Sequence, residues 1–148
     1  MTFTHAEFEY LTAHPLGRLA TIGPNGAPQA HPVAFWLHPD GRFVVMGGPE
    51  LSKSQKFRNI KADPRVSLVV DDQSATPNPI GQTGRGIEIR GRALIVTTDP
   101  PLIPGFSPET FQLHPRRIIT WNIEEFGTAG TPRLEHLQGY SARDVPTD

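Results

Sequence analysis

Gly86-Ile87-Glu88-Ile89-Arg90-Gly91-Arg92-Ala93-Leu94-Ile95 decides the fold class. Ile87, Ile89, Gly91, Ala93 and Ile95 fall on one face of an extended chain, and Glu88, Arg90 and Arg92 fall on the other. A period of two with one apolar and one charged face predicts a half-buried β-strand. On its N-terminal side, Gln73 to Gly86 is rich in Ser, Thr, Pro and Gly and reads as an exposed loop. Val66 to Val70, before that loop, reads as a short buried strand. On the other side, Asp99 to His114 opens with two prolines, and Ser107-Pro108 has the form of a short helix start. Arg117, Ile119, Trp121 and Ile123 then share one face of a last strand.

The N-terminal half follows the same logic. Thr4 and Glu7 have capping-box spacing, with Phe8 and Leu11 behind them, and His14-Pro15 stops the helix. Leu16 to Ile22 is a strand closed by Gly23-Pro24-Asn25-Gly26, a hairpin signal, and the return strand runs from about Ala27 to Leu37. His38-Pro39-Asp40-Gly41 turns the chain into a third strand, Arg42 to Met46. A helix from about Ser52 to Ala62 ends at Asp63-Pro64. About six short strands, mostly hairpin-connected, with two or three short helices predict a mainly β fold, an antiparallel barrel. No repeat or internal boundary is visible. Residues 1–124 are expected to form one domain, and 125–148 a surface-draped or partly disordered tail.

Composition narrows the classes. The chain has 148 residues, 36% hydrophobic and 20% charged, enough for one ordinary core. A net charge of −1 argues against nucleic-acid binding. No apolar run reaches the roughly 18 residues of a membrane helix. The N-terminus lacks a signal-peptide pattern, so a cytoplasmic chain is expected. Without cysteine there are no disulfides, thiolate metal sites or cysteine nucleophile. The six histidines show no metal-ligand spacing, so no metal is expected.

Two segments carry candidate chemistry. In Gly47-Gly48-Pro49-Glu50-Leu51-Ser52-Lys53-Ser54-Gln55-Lys56, Lys53 and Lys56 lie three apart at the start of a helix. Cations there oppose the helix dipole unless an anion sits nearby, held by free backbone N–H groups, the Ser54 hydroxyl and the two ammonium groups. A solvated basic face, or an ion pair with Glu50, would account for the spacing as well. In Gln29-Ala30-His31-Pro32-Val33-Ala34, Pro32 cannot donate a ladder hydrogen bond, which frees nearby backbone groups for a planar heterocycle or simply blunts an edge strand. The second strand is apolar on both faces, Ala30, Pro32, Ala34 and Trp36 against Val33, Phe35 and Leu37. One face fills the barrel; a second subunit covers the other at least as well as a flat ligand does. Trp121 is either core or a stacking platform. Arg116 and Arg117 are surface or interface charges, or contacts to an anionic tail.

Leu16-Gly17-Arg18-Leu19-Ala20-Thr21, Pro28 to Val33, Lys56-Phe57-Arg58-Asn59, Asp63-Pro64-Arg65-Val66, Val69 to Asp72, Gly86 to Ala93 and His114 to Asn122 come in a telling order. In that order they resemble the pyridoxamine 5′-phosphate oxidase-like split β-barrel superfamily, the FMN-binding split barrels. Within it they resemble the F420-dependent reductases of actinobacterial type (flavin/deazaflavin oxidoreductases, group B). The resemblance implies a homodimer with cofactor sites at its interface. Lys56 would hold the cofactor phosphate, supported by Lys53, Ser54, Gln55 and Asn59. The Gln29–His31–Pro32–Val33 strand would face the ring, Met46 and Gly47 would border it, and Trp121 would approach from a neighbouring subunit or from below. Gln55 departs from the pattern, since a basic residue is common there. The activity implied is hydride transfer from reduced F420 to an electron-poor double bond of a small organic molecule, polyketide and tetracycline-type intermediates included. No catalytic side chain is implied; solvent or His31 would supply a proton. An FMN-dependent oxidoreductase on the same fold, and a non-catalytic barrel holding a cofactor or haem, are the alternatives.

Overall fold

The strand read from Ile87 to Ile95 is the middle of the longest element, β5, Gly84–Thr97. Ile87, Ile89 and Ala93 are buried in the core and Ile95 packs on its margin, as the alternation requires. A computed structural model describes residues 2–124 and 140–147. Along it run α1 (His5–Ala13), β1 (Leu16–Ile22), β2 (Pro28–Leu37), β3 (Val44–Met46), α2 (Gln55–Ala62), β4 (Arg65–Gln73), β5, β6 (Glu109–Trp121) and β7 (Tyr140–Asp144). One antiparallel sheet carries them in the order β3-β2-β1-β4-β5-β6-β7, and β3 also pairs with β6. That extra pairing closes strands β1 to β6 into a six-stranded antiparallel barrel, leaving unpaired only the parts of the edge that the short β3 does not reach. Leu19, Phe35, Val44, Met46, Leu68, Ile89, Phe111 and Leu113 are among the residues filling it.

Local chemistry fixes the helices where the sequence predicts. Thr4 Oγ1 accepts from Glu7 N–H and Glu7 Oε1 accepts from Thr4 N–H, a complete capping box. Tyr10 and His14 stack at the end of α1 and meet Asp72, on which Arg85 closes with two hydrogen bonds of 2.7 and 2.9 Å. The Arg85 guanidinium, and after it the Tyr10 hydroxyl, hold the Asp72 carboxyl well below the usual carboxylate range despite its partial burial. This cluster ties α1 to the β4–β5 hairpin. The hairpin's long loop is organised by buried Asn78, whose Oδ1 accepts from the N–H groups of Ile80 and Gln82.

The structure overturns the sequence reading at one point and adds to it at two others. Ser107-Pro108 starts no helix. Glu109 already pairs with Thr97, and the tertiary ladder with β5 overrides the local signal. In the last barrel strand Ile118, not Ile119, joins the core cluster. Gly91 pairs with Pro115 while Arg90 pairs with Arg117, so Arg116 is an extra residue, a β-bulge that flips the inward face. The chain beyond residue 124 includes β7, which adds to β6 from Arg117↔Asp144 to Trp121↔Tyr140. Residues 125–139 of the expected tail lie outside the described residues. No helix is long and apolar enough to cross a membrane among the described residues.

Candidate functional site

β3 is only three residues long, and it pairs with β2 at Phe35, Trp36 and Leu37. Below that point β2 has β1 on one side and no strand on the other, and the start of α2 comes close to Gln29, Ala30 and His31. Pro32 stands opposite Arg18 and has no N–H, so its position points its backbone away from β1. By the same alternation the polar backbone groups of Ala30 and Ala34 face the free side. A short β3 thus creates an open backbone edge beside the start of α2.

Between that hairpin and α2 lies a cleft of about 190 Å³ lined by Leu19, Thr21, Gln29, Ala30, His31, Ser54, Gln55 and Lys56. Five residues picked out in the sequence therefore meet in one place: Gln29, His31, Ser54, Gln55 and Lys56. Ser54 is the N-cap of α2, its Oγ accepting from Phe57 N–H and donating to Leu51 O at 2.6 Å. Its hydroxyl proton is thereby committed within the protein. The N–H groups of Gln55 and Lys56, in the first turn, have no carbonyl within the helix to bond.

Asn59 is buried under the cleft. Its Nδ2 donates to Thr21 Oγ1 (2.9 Å) and Gln29 Oε1 (2.8 Å), and its Oδ1 accepts from Gln55 Nε2 (2.8 Å). Gln55 in turn accepts from Arg58 through Oε1. This amide network fixes the angle of α2 against β1 and β2. Every strong donor of Asn59 is used inside the fold, so Asn59 shapes the cleft from beneath.

The two lysines part company. Lys53 pairs with Glu50 at 3.3 Å, and its side chain is 77% exposed outside the cleft. Lys56 is half-buried and has no carboxylate partner among the described residues. Burial lowers its pKa from the usual lysine value, with no compensating charge. A lysine, the dipole of α2 and free N–H groups concentrate positive potential in a small cleft. That arrangement fits a phosphate-sized anion.

The other predicted residues lie around this centre. Val33 and Met46 turn their side chains into the core, leaving Pro32 and Gly47 nearer the surface. Gly47 borders a wall that the sequence did not disclose. A Cβ there would meet Phe106 at 3.3 Å and Leu102 at 3.6 Å, and Phe106 lies 6.2 Å from Trp36. Ser107 N–H donates to Gly48 O at 3.0 Å, pinning this wall to the 47–54 segment. Only Gly47 and Trp36 of this set sit near a sequence signal, because proline-rich loop residues carry no periodicity. Trp121 is elsewhere on its own chain. It stands opposite Gly86, which pairs with Asp71, whereas the cleft lies beside Ala20, opposite Ser67. Four residues along the strand is about 13 Å, plus the intervening strands. No group of His, Asp and Glu among the described residues is arranged to hold a metal.

The sequence profile of the pyridoxamine 5′-phosphate oxidase family matches residues 3–128. The chain is similar to the 5a,11a-dehydrotetracycline/5a,11a-dehydrooxytetracycline reductase of Streptomyces rimosus, with 36% identity over 100% of this chain and 96% of that one. Among solved structures it is similar to a protein described as an F420 reductase, at TM-score 0.52 and 28% identity, covering 75% of this chain and 94% of that one. A haem-binding protein of Mycobacterium smegmatis shares the fold at TM-score 0.63 and 18% identity, over 97% of this chain and 60% of that one.

Proposed function

The chain belongs to the pyridoxamine 5′-phosphate oxidase family, and from that premise we propose that it is an F420-dependent oxidoreductase acting on an electron-poor double bond of a small organic substrate. That it is an oxidoreductase rests on its likeness to the dehydrotetracycline reductase. The choice of F420 over FMN is supported by the similar F420 reductase; Lys56 supports a phosphate-bearing cofactor of either kind. The observation that carries the site is Lys56, half-buried at the start of α2 and without an acidic partner among the described residues. An anionic phosphate at that spot would offset the desolvation of the lysine.

When bound, the deazaflavin would supply the hydride; the chain's own residues bind, orient and exclude water. Lys56 and the first N–H groups of α2 would hold the phosphate. The free edge of β2 at Ala30, Pro32 and Ala34 would bond the polar rim of the ring. The apolar wall at Trp36, Leu102 and Phe106 would keep water from its far end. A substrate of the polyketide or tetracycline type is in keeping with that wall and with the dehydrotetracyclines for which the similar reductase is named.

Replacing Lys56 by alanine should weaken F420 binding by about 1.5–3 kcal/mol, the worth of a hydrogen bond to a charged group. Fluorescence titration of the wild type and the variant with F420 and with FMN measures it. An unchanged dissociation constant for both molecules would remove Lys56 from the site. Tighter binding of FMN than of F420 to the wild type would replace the cofactor and leave the site standing.

We also propose a homodimer with the cofactor sites at its interface. In one chain the outer face of the β1–β2 hairpin is bare, with Leu16 59% and Trp36 39% exposed beside Ala30, Pro32 and Ala34. Apolar surface on an ordered sheet face is stabilised by burial against a second copy. Sedimentation at micromolar concentration should give a species of twice 16.3 kDa; a single 16.3 kDa species would overturn the dimer.

A further inference from the structure

One edge of β6 is divided between two partners. β3 takes Phe111 to Leu113 and β7 takes Arg117 to Trp121. Between them, His114, Pro115 and Arg116 pair with no strand on that side, Pro115 has no N–H to offer, and the Arg116 carbonyl accepts from Val145 N–H at 2.7 Å. Where β3 and β7 diverge, the wall opens into a cleft of about 820 Å³. This is within the range of small-molecule sites, about 300–1,000 Å³. It shares no lining residue with the cleft beside α2.

Its charge is predominantly positive. Arg42, Arg92, Arg116 and Arg143 line it. Arg143 is neutralised by Glu7, and Asp40, which also lines the cleft 2.9 Å from His38, offsets part of the charge of Arg42. Arg42, Arg92 and Arg116 have no carboxylate within ion-pair distance among the described residues. His114, whose ring lies tilted against Phe43 with centroids 4.9 Å apart, is kept toward its neutral form by burial and then by the charge of Arg116. Three guanidinium groups without an ion-pair partner line one concavity, and an anion placed between them is attracted by all three. The floor is apolar: Phe43, Leu94, which is 52% exposed, and Val145.

We propose that this cleft is a second binding site, for a small polyanion built on an apolar body. Its carboxylate or phosphate oxygens bridge Arg42, Arg92 and Arg116, and its skeleton lies on Leu94 and Phe43. The site is independent of the cofactor cleft and of the reading given to it.

Calorimetry at low salt with benzene-1,3,5-tricarboxylate, tripolyphosphate and benzoate tests it, with the His114 ring resonances followed by NMR. The tricarboxylate should bind saturably, at least about tenfold more tightly than benzoate, and shift the His114 signals. The Arg92→Gln/Arg116→Gln chain should lose about tenfold or more in that affinity, and the Lys56→Ala chain should keep it. No saturable binding of either polyanion, or affinity unaffected by the two arginine substitutions, or affinity lost in Lys56→Ala, would each overturn the site. Tripolyphosphate binding as tightly as the tricarboxylate would overturn the apolar half of the ligand class.

Discussion

A Gly91→Ala chain is expected to be destabilised by at least about 3 kcal/mol, at or beyond the upper end of overpacking costs. Gly91 sits at the bulge where β5 and β6 shift register, opposite Pro115. A Cβ built on it falls well inside contact distance of the His114 carbonyl oxygen, 2.9 Å from the carbonyl carbon and 3.1 Å from Pro115 Cα. All three are backbone atoms of the facing strand, so no side chain can swing aside; the two strands must separate. The same bulge sets which residues of β6 face inward. Forcing it open therefore strains Leu113 and Ile118, which pack in the core on either side of it. Since whole domains are stable by only about 5–15 kcal/mol, the urea midpoint should fall steeply. Gly84, on the same strand, is the internal control. Its added Cβ meets nothing within 4 Å, and Gly84→Ala should leave the midpoint in place or raise it slightly. Equal midpoints for the two variants would mean that the bulge is not where this structure puts it.

Arg143→Met should cost about 3 kcal/mol, the penalty for leaving one half of a buried ion pair, or roughly 10 °C in melting temperature for a chain of this size. Glu7 is 3% exposed. Its Oε1 accepts from Thr4 N–H at 2.8 Å and from Arg143, which also donates to Thr2 O at 2.9 Å. Without the guanidinium the carboxylate keeps one backbone donor and loses its countercharge in a place water hardly reaches. Adding Glu7→Gln to that variant removes the charge while an amide oxygen can still cap Thr4, so the double variant should recover much of the loss. Glu7→Gln alone should be milder than Arg143→Met, because the arginine left behind is partly solvated. A double variant as unstable as Arg143→Met would assign the loss to undocking of β7 in place of the stranded charge. The pair matters for the fold because it joins the first helix to the last described strand across nearly the whole chain.

The amino-acid order by itself determined the elements. Alternation in Ile87 to Ile95, the capping box of Thr4 and Glu7, the Asn25-Gly26 hairpin and Asp63-Pro64 each act over a few residues. The physics of a period, a cap or a turn is local. The Lys56 segment was legible for the same reason: a cation at a helix start is anomalous wherever the helix sits. Tertiary structure decided what those elements meet. The segment itself offers Glu50 as a partner, but nothing in it says which lysine Glu50 takes and which is left facing the hairpin. Nor does anything near Asn59 say that Thr21 and Gln29, 38 and 30 residues away, will consume its donors. The bulge at Arg116 depends on an opposing Gly91, β7 depends on an edge that β6 leaves half empty, and the arginine-lined cleft exists only because β3 and β7 part. Contacts between distant residues are set by which faces the closed barrel brings together, and that is a property of the whole chain's packing.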